Sequence, residues 1–372
     1  MRLLGSVGAC ALAAALAAGM PAGAATIYSV ENLGALGTGS AQVAAISGSG
    51  IVTGYVTNAQ GDTIPSCFTG CAAALRGIGQ ANAANAAGTI AGTTYVNGNP
   101  YVTVWTDGGR SVATSVPGYG TAVNASGTVA GGYLASNGQL HAFTSGAGNL
   151  TDLGTLNGGT WSSAYAINGA GHVAGTSLTS SGLFQAFFST GNGMTGLSAF
   201  ARNGNSYAMA INGSDAVVGA AQTSGGWLNA VKWIDGSPTD LGTLGGTQSY
   251  AYGIDDSGTA VGYSYLAGNI VAHAFVYVNG VMIDLNDLLP IGSGWTIGDA
   301  YGIDDAGEIA AMGTLDSQSY ALELLPSGNG LSDPTPTPEP ATLLLSGLGL
   351  ALVFKCFAAK RKSAKVSETI RD

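Results

Sequence analysis

The sequence predicts an all-β chain, a seven-bladed β-propeller closed by its own N-terminal strand, and three observations predict it. A phrase seen in full as "YAINGAGHVAGTS" at residues 165–177 occurs seven times, the copies are regularly spaced, and each reads as a hairpin followed by further short strands. Aligned on the apolar residue before the turn, the copies fall at Ile46, Ala84, Val123, Ile167, Ile211, Ile254 and Ile303, in steps of 38, 39, 44, 44, 43 and 49 residues. Steps of this size are those of propeller blades.

Each copy begins with an alternating run that is stopped by Asn or Asp, at Asn85, Asn124, Asn168, Asn212, Asp255 and Asp304. The short polar side chain bonds the backbone two residues on, and a glycine three residues later (Gly88, Gly127, Gly171, Gly258, Gly307) suits the last position of a type I turn. A second strand such as "HVAG" returns. A third follows as "HAFTSG" at His141, "QAFFST" at Gln185, "NAVKWID" at Asn229, "HAFVYVNG" at His273 and "YALELLP" at Tyr320, and a fourth as "LTDLGTL" at Leu150, "PTDLGTL" at Pro238 and "MIDLNDL" at Met282. Neighbouring four-stranded blades bury one another's apolar faces. The seventh copy has no fourth strand of its own, whereas "IYSVENLGALG" at Ile27 to Gly37 matches that strand. Ile27 to Leu33 is therefore expected to be the outermost strand of the blade containing Tyr320 to Leu325, leaving no open array of edges.

Composition fits this plan: 61 glycines, 46% hydrophobic and 9% charged residues describe neither a disordered chain nor a collagen. Residues 1–24 read as a signal peptide, with Arg2, an apolar run to Ala18 and a small-x-small site at Ala22 to Ala24. The propeller occupies 25–326. A Pro-rich linker follows at 327–340, then an apolar stretch at 341–359, long enough at 1.5 Å per residue to span a bilayer, and a basic tail at 360–372. The positive-inside rule keeps that tail cytoplasmic and the propeller outside the inner membrane. Residues 25–340 carry four basic residues (Arg76, Arg110, Arg202, Lys232) against nineteen acidic ones, a net charge near −15 that argues against a nucleic-acid partner.

Two resemblances bear on function. Pro338-Glu339-Pro340, the hydrophobic helix and the basic tail resemble the PEP-CTERM sorting signal of Gram-negative bacteria, departing from it in the "CFAA" that interrupts the basic residues after Lys355. The resemblance implies an exosortase-type partner that reads the tripeptide, transient residence in the inner membrane, and delivery to the cell surface or an exopolysaccharide matrix. The His-Ala-Phe phrase, the Asp-Leu-Gly-Thr-Leu phrase and the Ile-Asn turn, over residues 28–326, are similar to HAF-type extracellular repeats, a family that implies no particular activity.

Few side chains break the repeat. No catalytic motif, cofactor site or metal-ligand set is expected. Cys67 and Cys71, in "CFTGC", are expected to form a local disulfide in an exported protein. His141 and His273 share one repeat position with Gln185, Asn229 and Tyr320, and His172 reads as a solvent-facing strand residue. The pairs Asp255-Asp256 and Asp304-Asp305 offer oxygens of the kind calcium takes, yet sit in the turn where other copies have Asn. The segments between second and third strands, such as "VTNAQGDTIPSCFTG" and "AAQTSGGWL", read as variable loops, and Trp161, Trp227 and Trp295 are expected on the same face of the ring. Aromatic platforms among neutral polar groups suit sugar rings, or else cap blade ends by packing. The leading expectation is thus a non-catalytic binder of a neutral polymer or partner. The alternatives are a propeller enzyme acting on polysaccharide, with converging carboxylates, and an adhesion or ice-binding surface protein.

Overall fold

A computed structural model describes residues 27–327 apart from 35–40, 72–74, 107–108, 113, 147–148 and 192. The signal peptide, the linker from 328, Pro338-Glu339-Pro340, the 341–359 stretch and the basic tail lie outside the described residues. Among those described, no helix is long and apolar enough to cross a membrane.

The described chain opens with strand β1 (Ile27–Gly34) and then makes seven antiparallel meanders. The first sheet is β2 (Ala41–Ile46), β3 (Val52–Thr57) and β4 (Thr63–Cys67). The second is β5 (Gly79–Ala84), β6 (Ile90–Val96), β7 (Asn99–Thr106) and β8 (Gly109–Val112), and the third β9 (Gly118–Val123), β10 (Val129–Leu134), β11 (Leu140–Gly146) and β12 (Asn149–Gly154). The fourth comprises β13 (Trp161–Ile167), β14 (Val173–Leu178), β15 (Phe184–Ser189) and β16 (Met194–Leu197). The fifth comprises β17 (Ser206–Ile211), β18 (Val217–Gln222), β19 (Leu228–Ile234) and β20 (Ser237–Gly242), and the sixth β21 (Gly245–Ile254), β22 (Ala260–Leu266), β23 (Ala272–Val278) and β24 (Val281–Asp284). The seventh is β25 (Thr296–Ile303), β26 (Ile309–Leu315) and β27 (Gln318–Ser327), with β1 hydrogen-bonded to β27 as its fourth strand. The third and fourth sheets touch through a single parallel bridge, Leu140 to Trp161, and no one hydrogen-bonded sheet runs round the whole set.

Side-chain packing joins the sheets in order. Val102, Val129 and Phe143 fill the junction of sheets two and three, Leu153, Ile167 and Phe187 that of three and four, and Ile211, Val231 and Trp233 that of four and five. Phe275 with Ile254 joins five and six, and Ile297 with Leu322 joins six and seven. Val43 and Val52 of the first sheet pack on Ala310 and Ala321 of the seventh, so the order closes on itself in a propeller-like arrangement. The His-Ala-Phe phrase has a steric meaning here. On one strand Ala142 faces the following sheet and Phe143 the preceding one; both are fully buried, the small residue admitting the neighbour that the large one of the next sheet fills.

Every innermost strand carries a β-bulge at the same repeat position, two residues before the alignment residue: Ala44, Asn82, Thr121, Tyr165, Met209, Tyr252 and Tyr301 are skipped in the pairing register. A bulge inserts one residue and re-aims its side chain, here toward the centre of the ring. In six of the sheets a carbonyl of the first strand lies against the second, which explains the glycine eight residues after the alignment residue; the seventh has Ala311 there. A Cβ on Gly54, Gly92, Gly131, Gly175, Gly219 or Gly262 would lie 1.8–2.2 Å from the opposite backbone oxygen.

The turn asparagines do two things. Asn124 Oδ1 accepts from the backbone N–H groups of Ser126 (3.2 Å) and Thr128 (2.9 Å), the expected Asx turn, while its Nδ2 donates to Asn168 O in the next sheet at 3.2 Å. Asn85, Asn168 and Asn212 repeat the link, reaching Asn124 O (2.9 Å), Asn212 O (3.0 Å) and Asp255 O (3.0 Å). Aspartate has no N–H to give, and the second acid of each pair reaches back to the preceding sheet, beside the Asn212 link at one junction and in place of an amide link at the next. Asp256 accepts from Gly213 N at 2.6 Å and Asp305 from Asp256 N at 2.9 Å. The acidic pairs thus serve as inter-sheet clasps, and no group of three or more metal-ligating side chains exists among the described residues.

Closure by β1 places acids together in the seventh sheet. Glu323 of β27 is 5% exposed, and burial, helped by Glu308, Glu31 and Asp304, pushes its carboxyl up to about 7. Below pH 4.5 the group is neutral both folded and unfolded; between 4.5 and 7 only the folded chain holds the proton, so stability falls as pH rises through that window. After discounting for solvent screening, the loss by pH 8 is expected to be about 1–2 kcal/mol. Glu323→Gln should raise the thermal midpoint at pH 8 and flatten its difference from pH 5; an unchanged pH slope in melting curves would assign that slope to other groups.

Candidate functional site

Antiparallel meanders put the first turn of each sheet on one face and the connections into the first and third strands on the other. Trp161 begins β13, Trp295 immediately precedes β25, and Trp227 ends the turn before β19, so all three belong to this second face. The connections between second and third strands are more regular than the sequence suggests. In "VTNAQGDTIPSCFTG" the residues Thr63–Cys67 form strand β4, with Pro65 tolerated because β4 is the outermost described strand of its sheet. What remains is a tight turn in which Asn58 N donates to Asp62 O, and the same bond recurs from Ala135 to Gln139, Thr179 to Leu183 and Thr223 to Trp227. Variety resides instead in the connections between sheets, such as 155–160, 198–205 and 285–295.

The connection at 198–205 builds a concavity on this face. Together with the turn at 179–183 it bounds a groove of about 450 Å³, lined by Thr179, Ser181, Gln185, Phe200, Arg202 and Asn203 among others. Asn203 adopts a left-handed backbone (φ 58°), which asparagine bears better than most residues. The groove wall is fixed to the fifth sheet by Gln222. Its backbone N–H donates to Asn205 O and its carbonyl accepts from Ala201 N, both at 2.8 Å; its Oε1 accepts from Asn205 N (3.1 Å), and its Nε2 donates to Gly226 O (2.9 Å), next to Trp227. Trp227 is 50% exposed. On the inner side Asn205 Oδ1 accepts from Phe184 N at 3.0 Å, and the Phe184 ring lies edge-on to Trp161 at 6.0 Å and 5.7 Å from Tyr207, whose hydroxyl burial shifts upward. A band from Trp161 through Phe184 and the groove to Trp227 therefore crosses sheets four and five.

Trp295 stands elsewhere. It belongs to the seventh sheet, packs on the core there, and meets Tyr320 edge-on at 5.3 Å. The structure thus brings Trp161 and Trp227 to neighbouring sheets and sets Trp295 apart. Phe184, Phe200, Gln222 and Arg202 escaped the sequence reading; the one signal was that Arg202 is among only four basic residues of the 25–340 region.

The histidines are cross-strand partners of the "TDLG" aspartates. His141 Nδ1 is 3.0 Å from both Asp152 oxygens, His273 Nδ1 2.6 Å from Asp284, and Asn229 Nδ2 bonds both Asp240 oxygens at 3.0 Å. Burial pushes the Asp152 carboxyl up, but the bonds from His141 and from Gly154 N–H outweigh it and leave the group below its usual range. His172 is half-buried rather than solvent-facing: its Nδ1 lies 2.8 Å from Asp215 of the next sheet and its ring meets Phe188 edge-on. Cys67 and Cys71 form a disulfide, Cα atoms 6.2 Å apart, within the usual span.

Residues 336–362 match the PEP-CTERM protein-sorting motif, a signal that implies export and sorting to the surface or the extracellular space. No curated protein matches the chain. Among solved structures, the chain is similar to TolB from Acinetobacter baumannii (12% identity, 85% of this chain and 82% of that one, TM-score 0.39). It is similar also to a triple mutant of AofleA from Arthrobotrys oligospora (14%, 70% and 89%, 0.38) and to a six-bladed β-propeller fungal lectin, the aleuria aurantia lectin (12%, 67% and 96%, 0.32).

Proposed function

We propose that the chain is an exported, non-catalytic seven-bladed propeller of HAF-type repeats. An exosortase-type enzyme in the inner membrane reads Pro338, Glu339 and Pro340, and the propeller is delivered to the cell surface or exopolysaccharide matrix, where it holds a neutral polymer. The observation that carries the binding half is the half-exposed Trp227, hooked through Gln222 to a groove of hydroxyl, amide and aromatic side chains. Flat aromatic faces beside neutral hydrogen-bonding groups match sugar rings, and Arg202 donates to hydroxyls without a counter-charge in the groove lining. Trp161 extends the platform and Trp295 offers a separate contact.

The two halves fail separately. Replacing Pro338, Glu339 and Pro340 with alanine preserves the apolar stretch and its charges; the chain is then expected to accumulate uncleaved in the inner membrane, and the same C-terminus and location as the parent would reduce the segment to a plain anchor. Trp227→Ala is expected to weaken retention on protein-free exopolysaccharide from the same cells by tenfold or more in affinity electrophoresis, with the thermal midpoint unchanged. Undiminished retention would remove the groove from the binding surface.

A further inference from the structure

The seven bulge residues surround a cavity of about 270 Å³ at the centre of the ring, and its chemistry is lopsided. Tyr252, Tyr301 and Tyr55 line it toward sheets six, seven and one, and Tyr165 alone among tyrosines lines it from sheet four. The rings of Tyr252 and Tyr301 stack with centroids 5.5 Å apart and 3° between their planes, Tyr263 backs Tyr252 at 5.7 Å from behind the lining, and Tyr55 completes the side with its hydroxyl bonded to Gln42. On the opposite side the polar donors are already used: Asn82 Nδ2 donates to Gly120 O at 2.7 Å and Thr121 Oγ1 to Ala164 O at 2.8 Å.

Asp299 lies on β25 at the repeat position that Gln42, a residue of the cavity lining, holds on β2. Burial raises its carboxyl, and its charge in turn helps raise the hydroxyls of Tyr252, Tyr263 and Tyr301. The ion pairs among the described residues are His141 with Asp152, His172 with Asp215 and His273 with Asp284. Lys232 lies over the Tyr277 ring and Arg202 in the loop groove, so neither neutralises Asp299.

We propose that this channel binds a small organic ammonium cation, held among the lining tyrosines and by the Asp299 carboxylate. The electron-rich face of an aromatic ring attracts a cation most strongly where water is excluded, and a quaternary ammonium suits a cage of several rings. A net charge near −15 over residues 25–340 draws cations toward the molecule, and a cavity just below the usual ligand range of about 300–1,000 Å³ selects for small ones. This site is separate from the loop groove and stands or falls without it.

The test is calorimetric titration of the full chain with choline and with 3,3-dimethylbutan-1-ol, its neutral isostere. Choline is expected to bind saturably with one site per chain and the isostere at least tenfold more weakly. Asp299→Asn and Tyr252→Leu should each weaken choline tenfold or more. Absence of saturable choline binding, equal binding of the isostere, or full choline affinity in a folded Asp299→Asn variant would overturn the proposal. Should a variant fail to fold, the choline and isostere comparison on the parent chain still decides.

Discussion

Gly175→Ala is expected to destabilise the chain by about 3–4 kcal/mol, while Gly169→Ala, six residues earlier in the same phrase, changes stability by no more than about 0.5 kcal/mol. The added Cβ at residue 175 would lie 2.2 Å from Ser163 O and 2.7 Å from two ring carbons of Phe187, a side chain with no exposed surface. Neither obstacle can yield alone. Moving the carbonyl disturbs the bulge that aims Tyr165 inward, and moving the ring disturbs the junction of sheets three and four. At Gly169 nothing lies within 4 Å and the backbone is not left-handed, so the same substitution meets open space. Thermal unfolding compares the two directly: at about 2–4 °C per kcal/mol, the first should lose roughly 6–16 °C. Similar midpoints for both would mean that the bulge relaxes freely and does not dictate the glycine.

Asn124 separates the two duties of the turn amide. Asn124→Asp keeps the Asx turn, as Asp255 and Asp304 do in their own sheets, but removes the N–H that Asn168 O accepts; a cost of about 1–2 kcal/mol is expected, the scale of one buried carbonyl left without its partner. Asn124→Ala removes the turn acceptor as well and should cost about 2–4 kcal/mol. Chemical denaturation gives both values. Equal losses for the two variants would show that the inter-sheet bond, not the turn, accounts for the whole effect, and no loss for Asp would show that the bond contributes nothing.

The features legible in the sequence were local ones. The Asn-to-Gly turn, the alternating strands and the orphan strand at Ile27 each leave a mark within a dozen residues, and β1 does pair with β27. The bulge left no mark, because one skipped residue in "SSAYAI" merely blurs an alternation that alanine already weakens. The His141 and Asp152 phrases were visible, but their contact depends on how β11 and β12 register across an intervening turn. The donor half of Asn168 is invisible for a different reason: its partner is 44 residues away, and Asx-turn chemistry alone accounts for its presence. The groove depends on the backbone path of 198–205, for which polar composition gives no rule.

The pairing of β1 with β27 sets a clock on the life of the chain. Ser29 Oγ donates to Leu325 O across 296 residues, so the first strand to emerge waits for the last. Bringing ends that far apart together carries an entropic cost of about 5 kcal/mol beyond a constant, and contacts of such separation form late. Until residue 327 has been made, sheet seven lacks its outer strand and β1 has nowhere to dock. The seven sheets can therefore latch only once the whole repeat region exists, which makes completion of the last repeat the event that closes the molecule.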